Sequence, residues 1–160
     1  MYMKLGRTIV AGIVGGAMVL AVIGGVGRLG GSHADLCALT GVIVTGRTDS
    51  IGWLTGCAAQ LTVAVIAALV YAAIFEWVTR RAGAMVGAAI AVPHVTLAGL
   101  AVGFLPVSRV IAAGRTPPGF FLEALGPVMV LTFVCAHLLF GTGVGLVYGQ
   151  THEQRSTRPG

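Results

Sequence analysis

The stretch Pro127–Gly149, PVMVLTFVCAHLLFGTGVGLVYG, decides the fold: it runs 23 residues without one Asp, Glu, Lys or Arg. About 20 apolar residues cross the hydrocarbon core of a bilayer as a helix. Helix is also the form in which a single segment satisfies all of its own backbone groups there. Three more windows share this character: about Thr8 to Gly27, Ile51 to Val78 and Ala82 to Leu105. The chain therefore reads as one all-α membrane domain over residues 1–160, a bundle of four transmembrane helices, with a polar tail from Gln150 to Gly160 expected to be disordered. A further apolar stretch, Leu36–Val44, is too short to span and is expected as an interfacial or partly re-entrant piece of the first loop.

Composition agrees with lipid as the solvent. The 160 residues are 56% hydrophobic and only 9% charged, with a mean hydropathy of +0.94, where a soluble domain carries about 25% charged residues. The net charge of +5 is dispersed over the ends of hydrophobic segments, with no basic patch and no interleaved aromatics, which argues against nucleic acid as a partner. The partner implied is the bilayer itself, including its anionic headgroups. The Lys4/Arg7 start precedes an apolar run of nearly 20 residues. That is longer than the 7–15 of a signal-peptide core, so an uncleaved first helix is expected. Cys37, Cys57 and Cys135 show no CxxC spacing. They are read as free thiols, with no disulfide framework and no metal site; only Cys37 is expected to meet water.

Four spans put both termini and the second loop on one side, with Lys4, Arg7, Arg80, Arg81, Arg155 and Arg158. The other side holds Arg28, Arg47, Arg109 and Arg115. The positive-inside rule then places both termini in the cytoplasm. Glycines recur at four-residue spacing: Gly12/Gly16, Gly52/Gly56, Gly83/Gly87, Gly99/Gly103 and Gly141/Gly145/Gly149. Such spacing lets backbones approach. There are more of these faces than one four-helix core requires, which leaves room for a homo-oligomer or a partner in a membrane complex.

Two stretches carry a family resemblance. One runs from Asp35-Leu36 through Gly41, Thr45, Arg47 and Gly52 to Tyr71, Phe75 and Glu76. The other runs from Pro118-Gly119-Phe120 through Gly126-Pro127 to His137, Phe140, Gly141, Gly145 and Tyr148. In spacing they resemble an uncharacterised family of small bacterial inner-membrane proteins with four predicted transmembrane helices. Its pattern is a DLxxLxG segment, a PGF turn and a HxxFGxxxGxxY fourth helix. The resemblance implies the four-helix architecture and a bacterial plasma membrane, and implies no activity. One departure stands out: where the family would have His-Pro after Pro106, this chain has Ser108-Arg109.

Ionisable and strongly polar side chains inside lipid are costly, and each asks for a reason. Gln60, His94 and His137 lie deep, and their helical faces converge, so an intramembrane Gln–His–His cluster is expected. Three readings compete for it: a hydrogen-bonded structural pin, a polar path for a proton or small solute, and bis-histidine ligation of haem b by His94 and His137. Zinc or copper lacks a third ligand. Glu76 and Arg80, four residues apart, are expected as an interfacial ion pair. Asp35, Arg47 and Asp49, with His33, form a candidate loop cluster. The aromatic pair Phe120-Phe121 reads as an interfacial anchor. There is no Ser-His-Asp set, no HExxH, no pair of intramembrane aspartates and no phosphate-cradling glycine loop, so no enzyme is expected. The leading expectation is a non-catalytic structural or complex subunit, then a small oligomeric transporter or channel, then a b-type haem subunit.

Overall fold

The computed structural model describes residues 3–31 and 34–156. Four of its helices are long and apolar enough to cross a membrane: α1 (Leu5–Leu29), α3 (Ser50–Ala73, continued by a π-helical turn over Ile74–Thr79), α4 (Ala84–Gly103) and α6 (Pro127–Tyr148). Between and after them lie three short helices, α2 (Leu36–Thr45), α5 (Val107–Ala112) and α7 (His152–Ser156), and a 3-10 segment, Phe120–Leu125. The described residues contain no strand. The chain is an all-α four-helix bundle and a multi-pass membrane protein.

Local chemistry sets the ends of these elements. The Asp35 carboxylate accepts from Ala38 N at 2.9 Å and starts α2; that of Asp49 accepts from Gly52 N at 3.0 Å and starts α3. Each satisfies a donor that the first turn of a helix leaves free. Pro127 stands at the first position of α6, where its missing N–H costs nothing.

Helix α6 packs on α1 and α4, and α1 packs on α3, so contacts run in the order α3–α1–α6–α4; α3 and α4, though consecutive, touch little. The glycine faces set these contacts. A Cβ on Gly12 would stand 2.6 Å from Val65 Cα, so α1 meets the backbone of α3 there. Gly87 lies against Gly141 and Gly145 across the α4–α6 contact. Gly99 and Gly103 instead receive the rings of Phe121 and Phe120. The aromatic pair thus packs onto α4, and Phe121 and Leu122 take left-handed backbone (φ 53° and 66°) to reach it. The five faces that suggested a second copy each have neighbours within the one chain.

Helix α2 folds back along the start of α3, with Gly41 facing Gly52 and Gly56. The segment Ser50–Thr79 has 30 residues, about 45 Å, against a hydrocarbon core of about 30 Å. Here one expectation is corrected: Cys37 and Cys57 form a disulfide that ties α2 to α3, with Cα atoms 4.5 Å apart. Cys37 is buried, and Cys135 is the free, exposed cysteine. The bare glycines of the α2–α3 contact bring the two backbones close enough for the sulfurs to meet. The tail also departs from expectation, since Thr151 is fully buried and α7 continues to Ser156. Residues 157–160 of the expected tail lie outside the described residues.

Candidate functional site

His94 stands ten residues into α4 and His137 ten residues into α6. The two helices run in opposite directions, so the rings meet at one depth, in edge contact with centroids 5.4 Å apart. His94 Nδ1 is 3.1 Å from the Tyr71 hydroxyl of α3. His137 Nδ1 lies 2.8 Å from the carbonyl oxygen of Phe133. A carbonyl only accepts, so the neutral His137 ring carries its proton on Nδ1 and offers Nε2 as an acceptor. Gln60 Nε2 donates to Thr40 Oγ1 of α2 at 2.7 Å. Gln60, His94 and His137 line one cavity of about 60 Å³, together with Gly16, Ala64 and Phe140. That volume holds only a few waters. Gln60 does not bond to either histidine; it stands 11 residues, about 16 Å, before Tyr71 on α3.

The imidazoles are members of a longer column of rings. Phe121 contacts Phe133 (6.1 Å between centroids), Phe133 contacts His137 (4.2 Å), His137 contacts His94, and His94 contacts Tyr71 (5.6 Å). Tyr71 continues to Phe75 (6.1 Å) and Phe75 to Tyr148 (5.4 Å), with the Lys4 ammonium 5.0 Å from the Tyr148 centroid. Phe140 braces both Tyr71 and His94. Offset and edge contacts of this kind contribute about 0.5–1.5 kcal/mol each beyond the area they bury.

This arrangement does not fit a haem held between the histidines. A porphyrin would have to lie between the two rings, and the rings touch. Among the described residues, no three His, Cys, Asp or Glu side chains are grouped to hold a metal ion.

At the end of the bundle that holds Lys4 and α7, the expected Glu76–Arg80 pair is replaced by another arrangement. The π-helical turn abolishes the i,i+4 register, and Arg80 takes left-handed backbone (φ 52°). Its Nε lies 3.7 Å from Glu153. Glu76 turns inward and is 1% exposed. It accepts from the Tyr148 hydroxyl at 2.7 Å and from His152 N at 3.3 Å. The Lys4 ammonium donates to the carbonyls of Tyr148 and Gln150, and Thr151 Oγ1 donates to the carbonyl of Arg80 at 2.7 Å. Burial foremost, with Arg155 and Arg7 nearby, holds the Lys4 ammonium below its usual pKa.

At the opposite end, Arg47 and Asp49 form an exposed ion pair. Asp35 lines the same cleft but accepts from Trp53 Nε1 at 3.0 Å rather than from Arg47. His33, the fourth member of the expected loop cluster, lies outside the described residues. The Arg47 guanidinium and the Gly52 N–H hold the Asp49 carboxyl at about 2, below its usual 3.8.

Three residues that complete these groups were not singled out in the sequence: Thr40, Tyr71 as a histidine partner, and Trp53. Tyr71 could have been found, because it shares a face with Gln60, Ala64 and Ala67 that points at the histidines. No family model, curated protein or solved structure matches this chain.

Proposed function

We propose that this chain is a non-catalytic integral membrane protein, a structural or complex subunit whose histidines pin the bundle. The observation that carries the reading is the ring column: His94 and His137 are packed between Phe133 and Tyr71, and each has its Nδ1 tied to protein. Among the described residues, no buried side-chain nitrogen or oxygen lacks a hydrogen-bond partner. A path for ions needs polar groups that exchange partners, and the Nδ1 of each ring is already engaged. The placement that goes with this reading is a bacterial plasma membrane with both termini cytoplasmic, in keeping with the family-like stretches around Asp35 and His137. The arginine asymmetry supports the orientation. So does the disulfide at the far end, since such bonds persist in oxidising compartments.

A second reading, a small conduit, is favoured by the cavity that both histidines share with Gln60. Reconstitution separates the two. On the structural reading, purified protein in proteoliposomes carries no proton or potassium flux above empty vesicles. His94→Ala and His137→Ala then each lower unfolding stability in detergent by about 2 kcal/mol, both from lost ring contacts and His94→Ala also from the lost interhelical bond to Tyr71. Flux that is present in the wild type and falls in either variant would establish the conduit instead.

A further inference from the structure

Helix α1 carries two kinds of glycine. Gly12 and Gly16 are bare because the backbone and side chains of α3 press on them. Gly24 and Gly25 are bare for no such reason: a Cβ on Gly24 would come no nearer than 3.9 Å to the Ala34 carbonyl oxygen, and one on Gly25 would meet nothing within 4 Å. With Ala17 and Ala21 they form the floor of an open groove of about 470 Å³, walled by the Cys37–Cys57 disulfide, Trp53 and Leu61. Arg28 stands at its mouth. Its guanidinium has no hydrogen-bond or ion-pair partner among the described residues, whereas Asp35, also on the lining, is engaged by Ala38 N and Trp53 Nε1.

Two lengths identify the occupant. Arg7 and Arg28 are 21 residues apart on α1, about 31 Å, which is one hydrocarbon thickness and sets Arg28 at headgroup level. From Arg28 to Ala17 the groove descends about 16 Å, the depth of one leaflet. There α1 closes on α3 at Gly16. A partner helix would need a groove along the whole span. An acyl chain needs only half of it, and the unpaired cation at the top selects a negative headgroup.

We propose that this groove is a binding site for one anionic phospholipid of the leaflet on the α2 side, its headgroup phosphate on Arg28 and an acyl chain along Gly25, Ala21 and Ala17. Native mass spectrometry of the detergent-released full chain, titrated with dioleoyl phosphatidylglycerol or dioleoyl phosphatidylcholine, tests this. One phosphatidylglycerol is expected to be retained in preference to phosphatidylcholine. Retention should be about five-fold weaker in Arg28→Ala, from the loss of one basic contact at the surface. It should be lost in Gly25→Leu, where the new side chain enters open space and fills the groove. Arg7→Ala, at the other headgroup level, should leave retention unchanged, and thermal unfolding confirms that each variant is folded. Equal retention of the two lipids would overturn the proposal, as would retention indifferent to both groove variants. Equal weakening by Arg7→Ala, a lipid-free dimer, or displacement of the lipid by glycerol 3-phosphate as effectively as by phosphatidylglycerol would also overturn it.

Discussion

At the scale of the residue, the most informative side chain is Glu76, a carboxylate 1% exposed at the end of a membrane span. A hydrogen bond to a charged group contributes about 1.5–3 kcal/mol. Tyr148→Phe keeps the ring of the column and removes only the hydroxyl that serves Glu76. It should therefore destabilise the protein by about that amount on chemical unfolding in detergent; a change under about 0.5 kcal/mol would mean that the carboxylate finds other donors. Asp49 offers a contrasting, exposed case. Its folded pKa is depressed to about 2, so its contribution is present above the ordinary carboxylate range and lost as pH falls toward 2. Unfolding temperature followed from pH 5 to pH 2 should show an acid-side slope that is reduced in Asp49→Asn. The asparagine can still accept from Gly52 N, so the comparison isolates the charge. Glu76 was misassigned from sequence because i,i+4 pairing presumes an unbroken α-helix, and a π-helical turn leaves no mark in residue types. Asp49 beside Arg47 was legible because two charges two residues apart in a short loop have few other places to go.

At the scale of the element, hydropathy alone located the four spans to within a few residues, since burial of every backbone group in lipid forces long apolar helices. The glycine spacing marked faces of close approach, but not what approaches there, and at Gly99 and Gly103 it is not a backbone. Gly52 and Gly56 accept α2, and Gly99 and Gly103 accept two phenylalanine rings, and nothing in a four-residue repeat distinguishes a helix from a ring. The disulfide follows from the first of these contacts and was invisible for the same reason: Cys37 and Cys57 are adjacent only once α2 lies antiparallel on α3. The closed loop is about 20 residues, for which chain-entropy arguments give about 2–4 kcal/mol. Cys37→Ser, or reduction, should lower unfolding stability by that amount, and Cys135→Ser should leave it unchanged. Maleimide labelling of the denatured protein checks the bond directly. One cysteine should react before reduction and all three after it; three reacting at the outset would refute the pairing.

At the scale of the whole molecule, the two ends of the bundle are built differently. One end gathers Lys4, the π-helical turn with Glu76, and α7 into a hydrogen-bonded closure. The other holds the disulfide, the α2–α3 hairpin and the exposed Arg47–Asp49 pair. That the termini share an end with the second loop was legible from the count of spans; that they are knitted together there was not, because the knitting uses the Tyr148 hydroxyl of α6 and, from a tail whose polarity reads as disorder, Thr151 and the Gln154 side chain, which pairs with the backbone of Ala82. The proposed orientation of these ends rests on two independent arguments, the arginine asymmetry and the compartment in which a disulfide survives. On that proposal the hairpin lies outside and the closure in the cytoplasm. In a Cys135→Ser background the native disulfide is inert to maleimides, so a single added cysteine reports its own side. A membrane-impermeant maleimide applied to intact cells should label Thr48→Cys, in the exposed turn before α3, and should label Glu153→Cys on α7 only after the membrane is permeabilised. The reverse pattern would invert the protein and set the Cys37–Cys57 bond in a reducing compartment, against both the arginine asymmetry and the survival of the disulfide.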